Sequence, residues 1–284
     1  MSLFNSRYPI ICTPMNFVSD ARLAIACNKA GIVPSLVSND KIKEQLKEFR
    51  DSCPDGDIIL SSDLMLAIDI IGTDRMMKIL KDYRVSHIQL LKILKDNESS
   101  ILEKIRDNGT KIIYKSQSPV DLPSDMAYID AIDLKSPDAA SRVVIDGRTT
   151  MERFLEQKAM NPDMPIIVTG GISTSEQIKI YLWAGAEAIG LGTIFALSEE
   201  SRIHPDKKLE MIKKSFSDVK SIGVNRMNGI VFSETPDTDN NHTDGLRLGR
   251  DTKDQGVIWA GKALDNINAI ESVQTIVDRL TKGL

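Results

Sequence analysis

Short runs of β-branched and aliphatic residues alternate, over the first 197 positions, with longer stretches whose apolar residues recur every three or four places. Eight of the short runs predict strands: Ile10–Met15, Ile32–Ser38, Asp57–Leu64, Ser86–Lys92, Lys111–Ser116, Ala131–Ser136, Pro165–Gly170 and Ala188–Ala196. Between them the helical spacing predicts helices over Ser19–Ala30, Lys41–Arg50, Thr73–Asp82, Glu98–Asn108, Thr149–Ala159 and Ser173–Ala184. Gly31, Gly109 and Gly185 follow three of these helices, where a helix stop favours glycine. The link SPVDLPSDM after the fifth run carries two prolines and predicts a short irregular connection.

Strand and helix in strict alternation build a parallel sheet through right-handed crossovers. Eight repeats with no second composition regime predict a closed (β/α)8 TIM barrel over about 8–197, within one domain spanning 1–284. An open doubly wound sheet is the alternative, and it lacks a GxGxxG after the first strand. Beyond Leu197 the pattern changes. SEESRIHPDKKLEMIKKSFSD has helical spacing, a polar Gly-rich irregular stretch occupies about 221–256 (clearest from Asn225 to Gly256), and a last helix, Ile270–Leu280, is expected on the barrel exterior.

With 42% hydrophobic and 27% charged residues in 284, the chain can bury a large core, which excludes wholesale disorder. A net charge of −4 leaves no electrostatic footprint for nucleic acid. Cys12, Cys27 and Cys53 match neither a disulfide framework nor a zinc site and read as reduced core thiols. Only three histidines occur, with no HExxH, so no metal site is expected. The chain has neither a secretory leader pattern nor an apolar run long enough to span a bilayer, so a cytoplasmic protein without a membrane partner is expected, and a homodimer is open.

The segment most informative for chemistry is PIIVTGGISTSEQIKIYLWAGAEAIGLGTIFAL, Pro165 to Leu197. It sets Gly170-Gly171 after the seventh strand and Gly192-Thr193 at the end of the eighth. In barrels these two positions commonly hold a phosphate on backbone N–H groups, and glycine lets the backbone approach an anion. The bland alternative is that these glycines only make tight βα turns.

Together with YPIICTPM near the N-terminus, TKIIYK in the middle and GVIWAGKALDNI near the C-terminus, this segment resembles the nitronate monooxygenase family, formerly the 2-nitropropane dioxygenases. Similar motifs occur in FMN-dependent enoyl reductases of the same superfamily. The resemblance implies an FMN-dependent TIM barrel that oxidises alkyl nitronates or similar small substrates, with oxygen reoxidising the flavin. It places the phosphate at Gly170, Gly171, Gly192 and Thr193, and the flavin ring beside Pro14, Met15 and Lys115. A cation there would stabilise a reduced anionic ring. At the position where relatives carry an Asn at the end of strand three, this chain has Asp63, which can only accept while ionised. Lys92 and Lys135 end strands four and six as Lys115 ends strand five.

One departure concerns the base. The resemblance predicts Gly-Gly-His after strand six, and the chain has KSPDAASR, with Ser141 and Arg142 where Gly and His would fall. Arg142 cannot act as a base near neutral pH but can orient an anion. Asp138 in the same loop is the substitute candidate. His87 lies at the N-terminal end of its strand, on the stability face, and His204 and His242 lie after the barrel. Met65, Met76 and Met77 read as core, and Trp183 and Trp259 as packing anchors. Two alternatives stay open: an NAD(P)H-dependent enoyl reductase, and a degenerate barrel that binds FMN or a phosphorylated metabolite without turnover.

Overall fold

A computed structural model describes residues 2–62, 72–91, 99–116, 126–142, 147–222, 227–232 and 250–284. Its centre is an eight-stranded sheet formed by β1 (Ile10–Cys12), β2 (Ser35–Val37), β3 (Ile59–Ser62), β4 (His87–Leu90), β5 (Lys111–Ser116), β6 (Ala131–Lys135), β8 (Ile166–Thr169) and β9 (Ala188–Leu191). All paired neighbours run parallel, and β1 lies beside β9. The remaining seam is joined by an isolated bridge from Ile11 to Val33, with Cys12 N donating to Val33 O at 2.9 Å and Val33 N to Ile10 O at 2.9 Å. The ring therefore closes as a (β/α)8 TIM barrel, and the open-sheet alternative falls.

The strands are shorter than their apolar runs. β1 stops at Cys12, before Pro14, which has no N–H to give a ladder. The last run, expected as one strand from Ala188 to Ala196, is instead β9 followed by a one-turn helix, Thr193–Ala196. Gly192, with φ −117° and ψ −72°, turns the chain between them.

Side chains alternate across each strand. One parity, including Leu60, Ile88, Leu90, Ile112, Ile132, Leu134, Val168, Ile189 and Leu191, is buried beneath the surrounding helices. The other parity forms the barrel interior: Ile11, Ile59, Ile113, Ala131, Ile167 and Ala188 make a separate apolar layer with Leu3 and Phe4. The N-terminal residues thus close the bottom of the barrel. Leu3 N donates to Glu187 Oε1 at 2.8 Å, and Leu3 O accepts from Lys111 Nζ at 2.6 Å and from His87 Nε2 at 3.2 Å. His87 belongs to this floor, as its place at the start of β4 implied.

The helices around the barrel are α1 (Ala21–Lys29), α2 (Ile42–Ser52), α3 (Thr73–Asp82), α4 (Ser99–Asp107), α5 (Thr150–Met160) and α6 (Ser175–Trp183). Capping fixes where several start. Asp20 accepts from Leu23 N at 3.0 Å, while α5 and α6 begin with reciprocal boxes, Thr149 with Glu152 and Thr174 with Gln177. Thr174→Ala is expected to cost about 1 kcal/mol and to lower Tm by roughly 2–4 °C in a thermal melt. An unchanged Tm would show that water replaces the lost cap.

Past the barrel, the stretch expected to be helical keeps one helix, Pro205–Met211, and a 3-10 turn at Phe216–Asp218. Lys208 in that helix is buried, and its Nζ donates to the carbonyls of Ser198 at 2.5 Å and Ser201 at 2.7 Å, tying the helix to the turn after β9. The expected irregularity of 221–256 is corrected at its start: Met227–Val231 is strand β11. It pairs antiparallel with β10 (Lys220–Ile222), β12 (Val257–Trp259) and the two-residue β7 (Ser141–Arg142). The final helix spans Val273–Leu280, capped by Ser272, and contacts α1 and α6 on the barrel exterior.

All three cysteines are free and buried. Met76 is buried, whereas Trp183, expected as a packing anchor, is 91% exposed at the end of α6. Met65 lies outside the described residues. Among the described residues no helix is long and apolar enough to cross a membrane, and no cluster of metal-ligating side chains occurs.

Candidate functional site

Because the strands are parallel, moving two residues along each one climbs a layer toward their C-terminal ends while keeping the inward direction. Above the apolar layer the same parity gives Thr13, Ser61, Gln89, Lys115, Asp133, Thr169 and Gly190. A cavity of ≈ 480 Å³ opens over this layer. That size suits a small-molecule or cofactor site. Its walls come from the residues after β1, the loops after β6 and β8, the turn after β9, and β12 of the small sheet. Glycine at 190 is demanded by space, since a Cβ there would lie 2.1 Å from Thr169 Oγ1.

The polar layer is tied together by a buried carboxylate. Asp133 is 2% exposed. Its Oδ1 accepts from Thr169 Oγ1 at 2.6 Å, and its Oδ2 accepts from Gln89 Nε2 at 2.6 Å and from Lys115 Nζ at 2.5 Å. Gln89 Oε1 accepts in turn from Ser61 Oγ at 3.3 Å. Charge-assisted bonds of this kind are stronger than neutral ones, and a buried carboxylate is tolerated only with such partners. The Lys115 side chain is 13% exposed and faces the cavity.

Of the residues the sequence pointed to, Pro14, Met15, Lys115, Gly170, Gly171, Gly192 and Thr193 line this one cavity. Gly171 has φ +72°, in the left-handed region, and a Cβ there would meet Asp138 Cβ at 2.6 Å. Gly192 differs: its missing Cβ would point at Thr13 Oγ1, 2.9 Å away, and at Met15 Sδ, 3.8 Å away, both on the cavity wall. Thr193 begins the one-turn helix after β9, where N–H groups lack intrahelical partners. Its Oγ1 accepts from Gly261 N at 3.3 Å, which leaves the hydroxyl proton available to a ligand.

Asp138, the candidate substitute for the base, lies in the loop after β6. Its side chain is not among the cavity-lining residues; Oδ2 accepts from Thr150 Oγ1 at 2.7 Å and Oδ1 sits 3.9 Å from Lys262 Nζ. Its carbonyl accepts from Lys262 N at 2.9 Å, while Asn228 Nδ2 donates to Ala139 O at 3.3 Å. The Asp138 carboxylate thus fastens the loop after β6 to α5, and the Ala139 carbonyl ties the same loop to the small sheet. Tyr181 packs nearby, and burial pushes its hydroxyl up to about 12, so it stays protonated. The backbone of Arg142 pairs with Met227 in the small sheet, beside Ser141, which lines the cavity at φ +61°. Asp63, Lys92 and His242 lie outside the described residues. Lys135 does line the cavity, and so does Trp259, which had been expected only to pack. Among the described residues no histidine reaches the cavity: His87 is in the barrel floor and His204 caps a helix, accepting from Asp206 N at 3.2 Å.

Gln89, Asp133 and Thr169 were missed from the sequence. Their signal is a polar residue at the inward parity of an otherwise apolar strand, as in HIQLL and AIDLK.

Residues 146–283 match the family model for nitronate monooxygenase. No curated protein matches the chain by sequence. Among solved structures, FabK from Thermotoga maritima superposes with a TM-score of 0.82 at 20% identity, covering 99% of this chain and 93% of its own. A nitroalkane oxidase from Streptomyces ansochromogenes gives 0.79 at 18% identity, covering 98% and 96%. The enoyl reductase domain of MlnA, from the macrolactin biosynthesis cluster of Bacillus amyloliquefaciens, gives 0.76 at 12%, covering 98% and 94%. At these identities the superpositions establish the shared fold. Over residues 146–283, carried on that TIM barrel, the chain is thus similar to the nitronate monooxygenase family.

Proposed function

We propose that the chain is an FMN-dependent oxidoreductase that oxidises an alkyl nitronate or a similar small anion. The observation that carries this reading is the arrangement of the cavity: glycine turns and hydroxyls at the ends of β8 and β9, lysines at the ends of β5 and β6, and no histidine among the described lining residues. The residues present fit FMN. The backbone left bare at Gly192, the N–H groups of the glycine turns and the Thr193 hydroxyl suit its phosphate, and Lys115 with Met15 suits the ring.

Bound FMN would supply the two-electron acceptor that afterwards returns its electrons to oxygen. The chain's own part is binding, orientation and water exclusion. Lys135, at the cavity wall, attracts an anionic substrate. Val257, Ile258 and Ala196 provide apolar wall for a short alkyl group. A nitronate already lacks the proton that a neutral nitroalkane must lose, so its oxidation needs no general base in the cavity.

The purified protein, after incubation with FMN and removal of excess, should show a bound-flavin absorbance spectrum. Anaerobic addition of an alkyl nitronate should then bleach it, while the parent nitroalkane, kept neutral, should bleach it at least a hundredfold more slowly, as loss of general-base catalysis implies. A colourless protein would overturn the oxidoreductase reading, and bleaching by NADPH alone would replace it with a reductase.

A further inference from the structure

The cavity floor contains a device that no expectation from sequence included. Lys115 is not an isolated cation. Its ammonium lies 2.5 Å from Asp133 Oδ2, and that carboxylate is fixed on its other sides by Gln89 Nε2 and Thr169 Oγ1, each at 2.6 Å. Gln89 is itself turned by Ser61, whose hydroxyl lies 3.3 Å from Gln89 Oε1. The four partners come from four different strands, β3, β4, β5 and β8, converging on β6. Rotation of any one is therefore opposed by the others.

Two physical consequences follow. A lysine has a flexible stem and three rotatable donors, so without a partner it samples many positions; here one donor is committed and the ammonium is held in place. Its charge is also cancelled at short range by an anion inside the protein, where screening is weak. An ammonium so compensated remains a directed N–H donor but exerts little net attraction on an anion.

We propose that Asp133 is a positioning and charge-balancing residue, which makes Lys115 select a neutral hydrogen-bond acceptor, such as an imide or ketone carbonyl, rather than an anionic group. Anionic groups are left to the glycine turns. The inference rests on the proposed function only where the acceptor is identified with the flavin ring; the charge balance itself is a property of the apoprotein.

Two measurements separate these levels. The first uses apoprotein in a Trp183→Phe background, which removes the exposed tryptophan and leaves Trp259, on the cavity wall, as the sole reporter of the two in the chain. Quenching of Trp259 by iodide, divided by quenching with neutral acrylamide, reads the sign of the charge in the cavity. D133N should raise this ratio about twofold or more, K115M should lower it, and the double variant should return toward the starting value. Equal ratios in all four proteins, or movement of both single variants in one direction, would overturn the proposal.

The second measurement uses the FMN-loaded proteins. D133N should bind reduced flavin about tenfold more tightly relative to oxidised flavin, which raises the midpoint potential by about 30 mV for a two-electron couple. K115M should move it the opposite way. A purely structural Asp133 would leave the potential unmoved while lowering Tm. Failure of every variant and the parent to retain FMN would reject the proposed function, and the quenching ratios would still decide the charge balance.

Discussion

Gly192→Leu is expected to weaken FMN binding at least a hundredfold while leaving the melting temperature close to that of the unaltered protein. The position sits at the end of β9, with φ −117°, a conformation open to residues with side chains. A Cβ added there approaches Thr13 Oγ1 at 2.9 Å, a contact relieved by a shift of a few tenths of an ångström that gives up only the long 3.3 Å bond to Leu191 O, and the rest of a leucine would extend beside Met15 into the cavity. The fold thus tolerates the change, and the space offered to the cofactor phosphate does not. A hundredfold loss corresponds to about 2.8 kcal/mol, the scale expected when a bulky group excludes an anion from its N–H donors. Gly171→Leu is the useful contrast. There φ is +72° and the new Cβ would meet Asp138 Cβ at 2.6 Å, so backbone strain and overlap should lower both stability and binding. Equilibrium titration with FMN and a thermal melt on each variant separate the two effects. Full FMN affinity in Gly192→Leu would move the phosphate away from the β9 turn.

The barrel was legible because buried parallel strands and amphipathic helices differ in period, and the difference repeats along the chain. What the pattern misjudged were strand ends. Ile194, Phe195 and Ala196 are as apolar as β9, yet they are one helical turn, buried as completely as the strand before them. Hydrophobic runs report burial and do not by themselves distinguish extended from helical backbone. Gly170, Gly171 and Gly192 stand out in the sequence for the same reason that they matter locally, since each marks a backbone that has to turn or be approached. The Asp133 network was missed because a carboxylate in an apolar strand resembles a strand edge until the register shows which face it occupies. Asp138 illustrates the converse. Its loop position suggested chemistry, but the side chain bonds Thr150 and faces Lys262, and the next residue, Ala139, is bonded by Asn228 from strand Met227–Val231, in a stretch too polar and glycine-rich to predict.

The floor of the barrel makes a prediction about pH that is independent of any ligand. His87 is 2% exposed, its ring tilted by 44° to that of Phe4 with centroids 4.6 Å apart, with Nε2 3.2 Å from Leu3 O and Nδ1 2.9 Å from Ser86 Oγ. A neutral ring protonated on Nε2 donates to the Leu3 carbonyl and presents Nδ1 as an acceptor to the Ser86 hydroxyl, whose one proton also faces the Ile58 carbonyl at 2.9 Å. Protonation would place a charge in this buried site beside the Lys111 ammonium. Burial, the dominant cause, therefore pushes the His87 imidazolium down to about 4 from its ordinary 6.5, although Asp57 and Asp130 pull the other way. The unfolded chain takes up this proton below about pH 6.5 and the folded protein only near pH 4, so the unfolded state binds more protons between the two values. Stability from this group is complete above pH 6.5 and falls as pH drops toward 4, by about 3 kcal/mol in all. His87→Gln keeps a polar amide at the site but cannot titrate. Between pH 7 and pH 4 its unfolding free energy, from urea denaturation, should fall by about 3 kcal/mol less than that of the unaltered protein, because every carboxylate contribution is common to both. Parallel pH profiles would mean that the folded protein protonates His87 without cost, and that the N-terminal segment at Leu3 and Phe4 yields to let water reach the ring.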